Sequence, residues 1–167
     1  MSSNRSRWVL LRSVVAWLCA ALLAGCATGG SSRATGGLTL HLLHSPAAIN
    51  LDEHPGPDGF ALKVFAMTSR SSKGGILRAG ELEILMFDGA LREGSPFPAQ
   101  PRKAWKFTAK ELRAHETHST LGTAYEFLLR WETNAPAAPR ITVLARHRDR
   151  QNALTSSSSS IIAVSQP

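Results

Sequence analysis

The sequence predicts a mainly β protein: a single β-sandwich of about seven strands with one short helix, after a cleaved signal peptide and a flexible tether. Two observations carry this. Beyond residue 37, apolar residues recur at every second position in short runs, the period of a strand with one buried face. Those runs are separated by clusters rich in Gly, Pro, Ser and Asn, which suit turns between strands rather than long helices.

Residues 1–25 have the parts of a secretory signal: Arg5, Arg7 and Arg12 at a basic start, an apolar run from Val14 to Leu23, and the small pair Ala24-Gly25. Ten apolar residues rise about 15 Å as a helix, half of a bilayer's hydrocarbon thickness, so a permanent span is the weaker reading. Leu23-Ala24-Gly25-Cys26 resembles the lipobox of bacterial lipoproteins. The resemblance implies that the Cys26 sulfur, nucleophilic as a thiolate, takes a diacylglycerol and that the signal is cut between Gly25 and Cys26. An ordinary secreted protein with a chance cysteine is the alternative.

On this reading Cys19 leaves with the signal and Cys26 is acylated, so no intramolecular disulfide forms. Removing residues 1–25 leaves 142 of 167 residues, enough for one domain without covalent staples. Three of the 19 basic residues leave with the signal; the remaining 16 against 12 acidic residues give +4 in place of +7. Modest charge and export together argue against a nucleic-acid partner. Residues 26–37 comprise the lipidated Cys26 and a Gly/Ser tether too poor in apolar groups to order itself by burial. Ala27 stands where inner-membrane lipoproteins of enteric bacteria often carry aspartate. That resemblance implies a lipid anchor in the outer membrane, facing the periplasm.

The sandwich domain is expected over 38–167. Its first strands place Leu38, Leu40 and Leu42 inward, then Phe60, Leu62, Val64 and Ala66. The next has Leu82, Ile84 and Met86 inward, with Glu81 and Glu83 outward. Trp105 and Phe107 alternate with Lys106. Thr108 and Glu111 form a capping box, which predicts a helix from about Ala109 to His115 or slightly beyond. Tyr125, Phe127, Leu129 and Trp131 share the buried face of the next strand; Ile141, Val143 and Ala145 alternate with Thr142 and Leu144. A short strand is expected over Ile161–Val164. Residues 94–101, 133–139 and the serine run 155–160 read as loops.

His115 and His118, three apart on a continuing helix, share a face and are candidate metal ligands. A third ligand is missing from the pattern, and two solvated histidines are the simpler reading. His41 and His44 face opposite sides of a strand. There is no nucleophile elbow, and no calcium-loop pattern surrounds Asp52, Glu53, Asp58 or Asp88; Asp58-Gly59 and Asp88-Gly89 read as turns. No cofactor is indicated. Arg146, Arg148 and Arg150 would share one face of an edge strand, with His147 opposite. With the loop from Pro46 to Gly59, which carries Asp52 and Glu53, they form the candidate partner-binding surface, unless the arginines only block edge pairing.

Two family resemblances complete the sequence reading. Residues 80–89 (GELEILMFDG), 103–131 (KAWKFTAKELRAHETHSTLGTAYEFLLRW) and the run RITVLARHRDR resemble a group of uncharacterised, β-rich predicted bacterial lipoproteins. LTLHLLHSPAAINLD followed by GFALKVFAM resembles the outer-membrane lipoprotein of the type VI secretion membrane complex, which implies a transthyretin-like sandwich binding an inner-membrane partner through a loop. The alternation alone implies a β-sandwich; taken with the resemblance, it is expected to be transthyretin-like or immunoglobulin-like. The functional expectation is a non-enzymatic envelope lipoprotein with an envelope protein partner. The alternatives are the secretion-complex lipoprotein and a metal-dependent periplasmic enzyme using His115 and His118.

Overall fold

The computed structural model describes residues 37–91 and 96–164. The signal segment, Gly25, Cys26 and all of the tether before Gly37 lie outside the described residues. The described residues belong to one compact unit.

The alternating runs form strands β1 (Thr39–His44), β2 (Gly59–Thr68), β4 (Glu81–Asp88), β5 (Lys103–Thr108), β7 (Gly122–Arg130) and β8 (Arg140–Arg148), with β10 (Ser160–Ala163) near the end. Three more, β3 (Ser71–Gly75), β6 (Glu116–Ser119) and β9 (Leu154–Ser156), complete two sheets. The first sheet runs β1-β2-β3-β7-β6, with β7 also beside β2; the second runs β10-β8-β4-β5, with β9 on β8. β7 pairs with the first part of β2, Gly59 to Val64, and β3 takes over opposite Ala66 to Thr68. The fold is therefore a β-sandwich, built from ten described strands rather than seven.

Its core lies between the sheets, where the expected residues meet. Phe60, Leu62 and Val64 of β2 face Leu82, Ile84 and Met86 of β4, with Tyr125 and Phe127 from β7 and Ile141 and Val143 from β8, all essentially inaccessible. Phe60 meets Trp105 edge-on at 5.7 Å, and Phe107 lies 4.6 Å from Phe127, so aromatic pairs bridge the two layers. Trp131, one residue past β7, is buried as expected. At one margin the chain changes sheets: Ala48 N donates to Ala163 O (2.6 Å), which joins the segment after β1 to β10.

Three expectations change. The outward face of β4 and β8 is not solvent-facing throughout. Leu85, Phe87 and Leu144 form a second cluster there with Leu91, and Phe97 stands 5.2 Å from Phe87. Thr142 is wholly buried because its hydroxyl donates to Gly89 O (2.7 Å) and accepts from Leu91 N (2.8 Å), pinning the chain after β4 over this face.

The helix is a 3-10 turn, Glu111–His115, starting later than expected. The reciprocal bonds of the expected capping box form, with Thr108 N donating to Glu111 Oε2 (2.7 Å) and Glu111 N to Thr108 Oγ1 (3.4 Å), but the N-cap of the turn is Lys110, whose side chain caps nothing. The chain then leaves for β6, because pairing with β7 satisfies a whole row of backbone groups that the helix would leave open on the sheet. The serine run is not all loop, since it supplies the end of β9 and the start of β10.

Candidate functional site

The three arginines do not form one stripe. β8 lies between β10 and β4, so it is no edge strand, and Arg150 falls in the turn beyond it. Arg146 is committed within the sheet, where Nε donates to Glu83 Oε2 at 2.6 Å and Nη2 lies 2.6 Å from the same oxygen. Lys106 Nζ sits 3.0 Å from the other oxygen, Oε1. Glu83, expected outward, does point to that face but is only 2% exposed. Its burial would raise the carboxyl pKa, yet the hydrogen bonds and charges of Lys106 and Arg146 prevail and hold it below its ordinary value of 4.5. With Glu81 Oε1 3.7 Å from Lys106 Nζ, two carboxylates balance the two cations.

The acidic loop lies elsewhere. β8 starts with Arg140 beside the loop-bearing end and finishes with Arg148 at the opposite end, about 27 Å away at 3.4 Å per residue. The expected surface therefore separates into two. In the loop, Asp52 Oδ1 accepts from His54 N (2.8 Å), Asp52 N donates to Asn50 Oδ1 (2.9 Å), and Leu51 N donates to Asp58 Oδ1 (2.6 Å). The His54 amide bond lowers the Asp52 pKa and outweighs the opposing effect of burial. Arg130 donates to Leu51 O and lies 3.5 Å from Asp58, so the loop is tied to the end of β7. Glu53 stays exposed at its tip.

His115 and His118 do not share a helix face. His115 packs against Phe107 and Phe127, and its Nδ1 is 3.1 Å from Glu126 O. His118 is on β6, with Nδ1 3.2 Å from Thr123 Oγ1. Among the described residues, no three His, Cys, Asp or Glu side chains are grouped to hold a metal ion.

A different site comes together at the end where Arg148 lies. The link from β3 to β4 and the 3-10 turn enclose a groove of about 630 Å³, walled by Ile76, Leu77 and Arg78 on one side and Ala109, Lys110 and Arg113 on the other, with Glu116 beside them. Its position is fixed from beneath: Leu77 N donates 2.6 Å to the hydroxyl of fully buried Tyr125. Gly80, at φ +86, closes the link; a Cβ there would lie 2.2 Å from Arg148 O. Three cations around a partly apolar groove can receive an anionic group. Lys110 and Arg113 follow the capping box at helical spacing, a signal legible in the sequence. Arg78 joins them only through the fold.

No family model matches the chain, and no curated protein matches it. Among solved structures it is similar to the crystal structure of chitinase ChiW from Paenibacillus sp. str. FPU-7, a bacterial cell-surface-expressed multi-modular enzyme machinery. The sequence identity is 15% over 85% of this chain and 10% of that one, with a TM-score of 0.40. The match thus spans a tenth of the chitinase, and a likeness this slight carries no functional argument.

Proposed function

We propose that the chain is a membrane-anchored envelope lipoprotein, outer-membrane and periplasm-facing, whose sandwich is a non-enzymatic protein-binding or structural module. The observation that carries this is the order of parts in the sequence: a basic start, ten apolar residues, Leu23-Ala24-Gly25-Cys26, a Gly/Ser tether, and then the sandwich. The geometry adds a polarity that suits such a module. The chain enters the described domain at Gly37, whose carbonyl accepts from Ser69 N (3.0 Å) at the β2–β3 turn. The loop of residues 45–58 lies at the opposite end, where β1 stops and β2 begins. The loop, with Asp52 and Glu53, is thus at the end of the domain opposite its attachment at Gly37, where a protein partner can reach it.

Cys26→Ala tests the anchor. The variant should leave the membrane fraction or stall before signal cleavage, because two or more acyl chains hold a protein at a bilayer where one is marginal. Normal maturation and unchanged fractionation of the variant would refute the reading.

A further inference from the structure

The end of the sandwich where the chain enters at Gly37 carries an unbalanced set of charges. Arg70 is on the β2–β3 turn beside Gly37, Lys73 is on β3, Arg78 is on the link to β4, and Lys110 and Arg113 are on the 3-10 turn. All five are exposed, and none is in an ion pair with a described residue. Glu116 on the groove wall is one acid set against these five cations, and the other nearby acids are engaged elsewhere. Glu111 is held by Thr108, Glu81 faces Lys106 at 3.7 Å, and Asp149 Oδ1 accepts from Gln151 N and Ala153 N in the turn after β8.

Apolar side chains stand among these cations. Ile76 is 44% exposed on the groove wall, and Leu121 is 55% exposed on the β6–β7 turn, whose carbonyl accepts from Gly74 N (2.8 Å). Cations with exposed aliphatic groups are the composition of a surface that rests on a bilayer: the charges meet headgroup phosphates while the apolar tips enter the interface. The loop-bearing end differs, since Asp52, Asp58, Asp88 and Glu132 are interspersed with its cations and Asp58, Asp88 and Glu132 pair with them.

We propose that this tether-side end is a docking surface for the anionic headgroups of the membrane, so that the sandwich seats on the bilayer with its loop-bearing end outward. The orientation rests on the lipoprotein reading, whereas the surface itself does not. Each exposed cation near an anionic surface multiplies membrane partition about fivefold, so reversing three should lower it by at least on the order of a hundredfold.

The experiment uses the protein reconstituted into phosphatidylcholine vesicles with or without phosphatidylglycerol. It carries one fluorophore, at Thr120→Cys on the tether-side end or at Glu53→Cys on the loop, and a headgroup nitroxide is the quencher. The expected result is quenching at position 120 that requires phosphatidylglycerol, is relieved by high salt, and disappears in the triple variant Arg78→Glu, Lys110→Glu, Arg113→Glu, with position 53 unquenched throughout. Circular dichroism of the triple variant should be unchanged, because all three side chains are exposed and unpaired. Equal quenching at both positions, or quenching at 120 indifferent to phosphatidylglycerol or to the triple variant, overturns the proposal.

The mass of the N-terminal peptide, read first, reports on the anchor separately. If the chain carries no lipid, the anchor reading fails, and co-sedimentation with the same vesicles decides the surface by itself. Binding that needs phosphatidylglycerol and is lost in the triple variant then supports the proposal, and absence of binding overturns it.

Discussion

Tyr125→Phe removes one oxygen from the middle of the sandwich and tests how the basic groove is held. The Tyr125 ring is fully buried, and its hydroxyl accepts from Leu77 N at 2.6 Å. Leu77 lies between β3 and β4, outside either ladder, so this hydroxyl takes the place of a strand partner. Burial raises the pKa of the phenol, with the Leu77 amide bond opposing, which keeps the hydroxyl protonated in the neutral range. Phe fits the same space but leaves the amide of a residue only 7% exposed without its acceptor.

A buried donor left unpaired costs about 1–3 kcal/mol. The extra apolar character of Phe offsets part of that, so a loss of about 1–2 kcal/mol is expected, or about 4–8 °C in Tm for a domain of this size. Urea unfolding followed by tryptophan fluorescence measures the loss. Hydrogen exchange locates it: the Leu77 amide should exchange faster in the variant by more than the global loss explains, while amides in the middle of β4 follow the global change alone. An unchanged unfolding midpoint with unchanged Leu77 exchange would show that the hydroxyl does not anchor this segment.

Glu83→Gln should destabilise the protein at neutral pH by on the order of 1.5–3 kcal/mol, the scale of hydrogen bonds to a charged group. Because the folded-state pKa of Glu83 is lowered, its contribution is complete above about 4.5 and is lost as pH falls through the lower folded value; the gap between wild type and variant should therefore shrink on acidification, as urea titrations at successive pH values would read. Trp131→Ala should cost about 3–5 kcal/mol, because the side chain is 4% exposed within the core, whereas Leu128→Ala at 65% exposure should change little; equal melting temperatures would contradict the register. Arg130→Ala should loosen the loop by removing the donor to Leu51 O and the partner of Asp58, seen as faster proteolysis within residues 50–58. Gly74→Ala should disrupt the β3–β7 contact, since its Cβ would fall 2.2 Å from Thr123 O; a folded variant of wild-type stability would show that the strands can part at no cost.

The inward faces of β1, β2, β4, β5, β7 and β8 were legible because alternation records burial directly: a residue on the core side must be apolar, and its neighbour need not be. The same rule misses β3, β6 and β9. Their sequences, SSKGG, ETHS and LTS, bury little and form strands because a neighbouring strand has backbone groups to pair. The candidate arginines show the limit for sites. Residues 146, 148 and 150 have strand spacing, but whether a strand is central, and whether a glutamate waits across it, depends on which strand lies beside it.

By itself the sequence determined a β-sandwich, its core residues, the capping box at Thr108 and Glu111, and the expectation of a lipid anchor at Cys26; each is written in neighbouring residues, through period, capping pattern or motif. The tertiary structure alone decided that Glu83 is buried between Arg146 and Lys106, that His115 and His118 part company, and that Arg78 lines one groove with Lys110 and Arg113. Those outcomes depend on contacts between residues far apart in the chain, fixed when two sheets close on one core, and local pattern carries no record of which distant strand will be the neighbour.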